Sequence, residues 1–200
     1  MSVPSLPPGA LLIAAAGLLT ACSDLTQPTD PLRAGGASLA DAASAPAQGP
    51  MAANYEIRFM EGMIDHHMMA VMTGELCIEK AVHEELRSLC EQIVGTQIQE
   101  IQTMQSWLSD WYGVSYEPQM KPGMTKEVEK LAALEGEEFE IAFMEMMIKH
   151  HQRAIKDARH CVERAYHPDL IELCEGIIAT QQAEIEQMQA WLCQWYGICE

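Results

Sequence analysis

Two pairs of adjacent histidines, His66-His67 and His150-His151, carry the clearest potential for chemistry in this chain, and each stands in a methionine-rich stretch. Met60, Met63, Met68, Met69 and Met72 surround the first pair, and Met144, Met146 and Met147 precede the second. Thioether with imidazole suits Cu(I), whereas imidazole with carboxylate suits Cu(II), zinc or iron. Fourteen methionines in 200 residues exceed the needs of core gap-filling. The plainer alternative is a structural or interaction module without metal, its core histidines satisfied by carboxylates and its methionines filler. Di-iron and di-manganese bundles carry Glu-x-x-His on their helices. Here Met63 and Ile64 stand three residues before His66 and His67, so the oxidoreductase alternative lacks its motif. A glycine-rich phosphate loop and a Gly-x-Ser-x-Gly elbow are both absent.

The histidine pair occurs twice because the chain is duplicated. At a constant offset of 84 residues, Phe59 maps to Phe143, Cys77 to Cys161, Cys90 to Cys174 and Trp107 to Trp191. Between Glu56 and Gly113, 30 of 58 positions are identical. Agreement between the copies shows which residues the unit retains.

Each unit reads as two helices. Phe59, Met63, His66, Ala70, Thr73 and Cys77 recur at three- and four-residue spacing, as do Leu89, Ile93, Gln97, Ile101, Met104 and Leu108. His167-Pro168-Asp169 marks the turn in the second copy, with proline at a first helical position. Gly113 and Gly197 follow the last periodic residues. The expected fold is all-α: a four-helix, ferritin-like bundle of two tandem hairpins, with helices about 40 Å long. Residues 54–200 form the domain, with repeats at 54–113 and 138–197. The linker 114–137 includes a short helix capped by Thr125 and either crosses the bundle or folds into a compact loop.

The cysteines set the hairpin register. Cys77 and Cys90 lie equidistant from the turn at His83, as do Cys161 and Cys174 from theirs, which predicts two disulfides across the hairpins. Cys193 and Cys199 are both serine in the first copy and form the expected third pair. In this register His67 faces Glu100, Met63 faces Met104, His151 faces Glu184 and Met147 faces Met188. All eight are shared between the copies, which concentrates imidazole, carboxylate and thioether in one layer of the core. His67, His151, Met63 and Met147 are the first expected ligands, with His66 and His150 beside them. Met104 and Met188 complete the thioether set, and Glu100 and Glu184 act as ligands or as partners that fix the histidine tautomer. Adjacent helical residues point about 100° apart, so the second histidine of each pair meets a neighbouring helix or opens onto a methionine-lined face. His83 and His167 read as turn caps.

The N-terminus is an address. Residues 1–21 hold an apolar run from Ala10 to Thr20 that is too short to span a bilayer. Leu19-Thr20-Ala21-Cys22 looks like a lipobox, with Cys22 lipidated, although no Lys or Arg precedes Ala10. Residues 22–53, rich in Ala, Pro, Gly, Ser and Asp, read as a disordered tether. The expected location is therefore exported, lipid-anchored to the bacterial envelope and facing the periplasm or exterior, where disulfides are the default. The membrane is met through the lipid alone. A net charge of −17 argues against nucleic acid as a partner, and the sequence does not identify a protein partner.

Phe-Met-Glu-x-Met-Ile-x-His-His, present in both copies, followed by Ala-Thr-Gln-Gln-Ala-Glu-Ile-Glu-Gln-Met-Gln-Ala-Trp-Leu at 179–192, resembles a family of bacterial exported proteins. Its domain is formally of unknown function, ferritin-like, and built from two-helix repeats with a signature histidine pair. The resemblance covers about residues 54–197 and implies a metal role for His66, His67, His150 and His151. Some relatives look like periplasmic copper-binding proteins that aid copper resistance. The cysteine pairs look like additions to the family pattern. Together these readings predict a copper-binding protein, Cu(I) first, that buffers the metal in the envelope.

Overall fold

The computed structural model describes residues 49–199. The expected signal, the lipidation at Cys22 and the tether up to residue 48 lie outside them. The described residues are all-α, with five helices: α1 (Pro50–Lys80), α2 (Glu84–Tyr112), α3 (Pro122–Ala132), α4 (Gly136–Arg164) and α5 (Pro168–Tyr196). Proline occupies a first helical position in α1, α3 and α5, where its missing N–H costs nothing. α1 therefore starts at Pro50, four residues before the expected boundary at 54. Gly113 and Gly197 end α2 and α5 in the left-handed region (φ 65° and 70°), each N–H closing back onto the last turn.

α1 with α2, and α4 with α5, form the two hairpins, and α1 also packs on α4. Cys77–Cys90 and Cys161–Cys174 join the partners at matching depth, with Cα atoms 6.0 and 6.2 Å apart and all four residues fully buried. Cys193–Cys199 closes the C-terminal end, as expected. Two cores result, and each mixes both repeats. Leu86 and Ile93 beside the first turn pack with Phe139, Phe143 and Leu192. Leu170 and Ile177 beside the second turn pack with Met60, Ile64 and Leu108. The hairpins thus lie head to tail, with α1 and α4 antiparallel.

Two buried glutamates lock this arrangement. The Glu140 carboxylate, at the start of α4, accepts the backbone N–H groups of Val82 (2.7 Å) and His83 (2.8 Å), His83 Nδ1–H (2.7 Å) and the Tyr196 hydroxyl. Glu56, at the start of α1, does the same for Tyr166 N–H (2.5 Å), His167 N–H (2.9 Å), His167 Nδ1–H (2.7 Å) and the Tyr112 hydroxyl. Those backbone donors lie where α2 and α5 begin, so each carboxylate meets unsatisfied N–H groups and a helix dipole at once. Trp195 stacks on His83 and Trp111 on His167, both at 3.9 Å, sealing the clamps. Burial raises both carboxyls, but the hydrogen bonds from tyrosine, histidine and backbone outweigh it and hold them below the ordinary 4.5.

The linker crosses the molecule. Asp65, midway along α1, accepts Tyr116 Oη–H (2.9 Å) and Gln119 N–H (2.7 Å), with Lys121 Nζ at 3.5 Å. Farther on, Lys80 at the end of α1 donates to the Ala132 and Leu134 carbonyls (2.8 and 3.0 Å). α3 lies over α1 and α4, with Leu131 as its buried anchor. Its cap is Lys121 rather than Thr125, because Pro122 at the first position starts the helix earlier. Thr125 sits one turn inside and donates back to the Lys121 carbonyl (3.4 Å).

Glu140→Ala strips the acceptor from four donors and is expected to cost about 3–5 kcal/mol. Exposed Glu175→Ala is expected to stay within about 0.5 kcal/mol. Urea unfolding midpoints check both. Because the folded carboxyls are depressed, the clamps stabilise above the ordinary carboxylate range, and that contribution fades as pH falls through the lowered values.

Candidate metal centre

Antiparallel packing of α1 on α4 brings equivalent residues of the two repeats together. His66 and His150 stack face to face, with ring centroids 3.6 Å apart and planes inclined by 28°. His67 and His151 follow at 6.1 Å from their neighbours, so four imidazoles gather midway along the helices. The members of each pair diverge. His67 and His151 turn into their own hairpins, fully buried, with Nε2 at 2.7 Å from Glu100 Oε2 and Glu184 Oε2 respectively. The His67 contact is an aligned hydrogen bond, whereas that of His151 has the distance without the alignment. These are the partners the cysteine register predicts. Met63 and Met104 lie in one core, and Met147 and Met188 in the other, so the thioether pairs occupy separate halves.

His66 and His150 instead line a cavity of about 1320 Å³ bounded by α1, α3 and α4. Met63, Met69 and Met146 line the same cavity, as do Met51 and Met124. The outward, methionine-lined face anticipated for one histidine of each pair is this wall. His150 Nε2–H donates to the His66 carbonyl (3.0 Å), which leaves the lone pair on its Nδ1. That Nδ1, and both ring nitrogens of His66, are buried without a hydrogen-bond partner. A half-turn about Cβ–Cγ exchanges the nitrogen and carbon edges of either ring while the ring stays in its slot.

Burial, then the neighbouring imidazoles and Arg153, pushes His66 down to about 3. Burial and the same imidazole neighbours hold His150 well below its ordinary value. Both rings are neutral at pH 7, the state in which imidazole binds metals. Unsatisfied buried nitrogens are costly, so a ligand that uses them is favoured there. Among the described residues, no group of three or more His, Cys, Asp and Glu side chains converges to hold an ion. The six described cysteines are all in disulfides. The methionines that line the cavity with the stacked pair are soft donors.

Two features were not singled out in the sequence. Glu56 and Glu140 are identical in the two copies yet fall at buried positions, and that was their signal. Gln97 and Gln181, also shared, are buried with side-chain atoms unpartnered, whereas the periodicity counts them only as core positions.

Residues 56–192 match the model of a family described as a domain of unknown function, DUF305. This chain is a DUF305 protein. CopM in its Cu(I)-bound form is 32% identical to it with a TM-score of 0.64, covering 71% of this chain and 98% of CopM. CopM structures also exist with Cu(II), with silver and in the apo form. A DUF305 protein of Streptomyces coelicolor, described as secreted, is 27% identical (TM-score 0.64; 72% of this chain, 94% of the other). A DUF305 fragment from Deinococcus radiodurans is 26% identical (TM-score 0.64; 74% and 99%). Functionally curated proteins give no match. Three disulfides in this DUF305 chain are those of an oxidising compartment outside the cytoplasm.

The depressed imidazoles carry a pH signature. The unfolded chain takes up protons near 6.5, while folded His66 and His150 refuse them until far lower. Their contribution is therefore complete above that value and declines as pH falls below it. Urea midpoints of the metal-free protein are expected to drop between about pH 7 and about pH 5, and His66→Leu/His150→Leu to flatten that interval. A wild-type midpoint constant across it contradicts the assignment.

Proposed function

We propose that this chain binds copper as Cu(I) and buffers it in the bacterial cell envelope. The observation that carries this reading is the pair of stacked, neutral imidazoles, one from each repeat, with buried unpartnered nitrogens in a methionine-lined wall. Soft thioether and imidazole donors favour Cu(I) over harder cations. The 32% identity to CopM, solved with Cu(I), Cu(II) and silver, supports the same metal class.

In this reading His66 and His150 are the nitrogen ligands, and Met63, Met69 and Met146 supply sulfur. His67 with Glu100, and His151 with Glu184, hold the layer behind them and fix its register. Met147, Met104 and Met188 pack that layer from either core. A di-iron or di-manganese oxidoreductase would need a carboxylate–histidine cluster, and none converges among the described residues. The fold is read as a ferritin-like bundle of two hairpins with α3 as an added crossover. Lipidation at Cys22, after removal of residues 1–21, would place the domain of residues 54–200 on a tether at the membrane surface. Among the described residues, no helix is long and apolar enough to cross a membrane.

Competition titration with a Cu(I) chelator tests this assignment. His66→Ala/His150→Ala is expected to weaken Cu(I) by about a hundredfold, equivalent to about 2.8 kcal/mol, while Zn(II) affinity stays low in both proteins. Equal Cu(I) affinity of the two proteins overturns the assignment.

A further inference from the structure

The cavity above the imidazole pair is far too large for an ion alone. A bare ion fills about the 30 Å³ share of one water, whereas about 1320 Å³ exceeds the range typical of small-molecule pockets. Its charge is also unlike that of the rest of the chain. The sequence holds twelve Lys and Arg against 29 Asp and Glu, and Arg33 alone of the twelve precedes the described residues. Six of the remaining eleven, Arg58, Lys121, Lys130, Lys149, Arg153 and Arg164, line this one cavity. Four carboxylates share it: Asp65, Glu127, Glu145 and Asp157. Six against four leaves a local excess of two positive charges on a protein of net charge −17.

That sign is wrong for attracting a free cation, which the acidic surface elsewhere would do better. It is right for an anion. The walls between the charges are apolar, with Tyr55, Phe59, Leu131 and Leu134 among them. A wide pocket with an apolar lining and a few cationic groups suits a ligand with an apolar body and acidic substituents. Lys149 and Arg153 line this cavity together with His66 and His150. An anion held by these two side chains therefore shares the cavity with the imidazole pair.

We propose that the α1–α3–α4 cavity binds a small organic anion with an apolar body, and that copper reaches His66 and His150 as the complex of such an anion. The second half rests on the copper reading above, and the first does not. Asp65 contributes to the shape of the site. Its equivalent in the second repeat is Lys149, so only α1 holds the linker and carries α3 across the cavity, while the corresponding place on α4 supplies a cation.

Two titrations of the full chain, disulfides formed, test the halves separately. The metal-free arm uses a matched pair of fluorescent probes, 1-anilinonaphthalene-8-sulfonate and its uncharged parent N-phenyl-1-naphthylamine. Saturable one-site binding is expected, about tenfold tighter for the sulfonate. Lys149→Gln/Arg153→Gln is expected to remove about that tenfold advantage while leaving the neutral probe unchanged. Arg58→Gln/Lys130→Gln repeats the test from other walls should the first variant fail to fold, as judged by near-ultraviolet circular dichroism. Equal affinity for the two probes, absence of saturable binding, or a sulfonate affinity untouched by a folded variant overturns the anion site.

The copper arm presents Cu(I) as its bicinchoninate complex, an aromatic dicarboxylate, and as its complex with uncharged neocuproine. Faster transfer from the anionic complex, lost in Lys149→Gln/Arg153→Gln, is expected. Equal transfer from both overturns delivery as an anion complex while the copper reading stands. Absence of copper binding overturns delivery and the copper reading together, and the metal-free arm still decides the cavity.

Discussion

The reciprocal carboxylate clamps are the constraint on which the rest depends. Glu56 and Glu140 each carry a negative charge into a fully buried position, which is tolerable only because four donors converge on it, three from the other hairpin and one tyrosine hydroxyl from its own. Each clamp joins the start of one repeat to the turn of the other, and both must close together. That condition selects the head-to-tail arrangement, makes α1 and α4 antiparallel, and sets His66 against His150. A duplicated hairpin could stack its copies in several ways. The glutamates select the one in which the two histidine pairs become a single layer.

Within that layer the adjacent histidines divide the work. The inward pair, His67 and His151, has carboxylates opposite and, in the proposed reading, orients the layer. The outward pair has stacking, burial and no partner for three nitrogens. A core built for stability alone would place apolar groups there, since unsatisfied imidazole nitrogens cost free energy and return nothing. Unsatisfied nitrogens in a methionine-lined wall are the observation on which the proposed Cu(I) site rests.

Much of this was legible in the chain. The offset of 84 residues, the cysteine spacing and the helical periodicity lead directly to two hairpins, three disulfides and the pairings His67–Glu100 and His151–Glu184. Those features depend on local geometry, which a linear sequence records well. The relation between the hairpins was not legible, because it depends on Glu56 and Glu140, whose histidine and backbone partners lie across the molecule in the other repeat. For the same reason the sequence ranks His67 and His151 ahead of His66 and His150 without showing that the latter pair lines the cavity. The crossover was also undecided, since the Asp65 latch on Tyr116 and Gln119 is a tertiary contact without periodic signature. Pro50 and Pro122 did mark true helix starts, and an expected boundary and cap a few residues away passed over them.

The central claim is that imidazoles from both repeats share one soft-metal site. X-ray absorption at the copper edge of the Cu(I)-loaded full chain tests it most directly. The account predicts a first shell containing thioether sulfur together with imidazole nitrogen, the imidazole signal disappearing in His66→Ala/His150→Ala. A shell of oxygen and nitrogen without sulfur, or a spectrum unchanged in that variant, contradicts it.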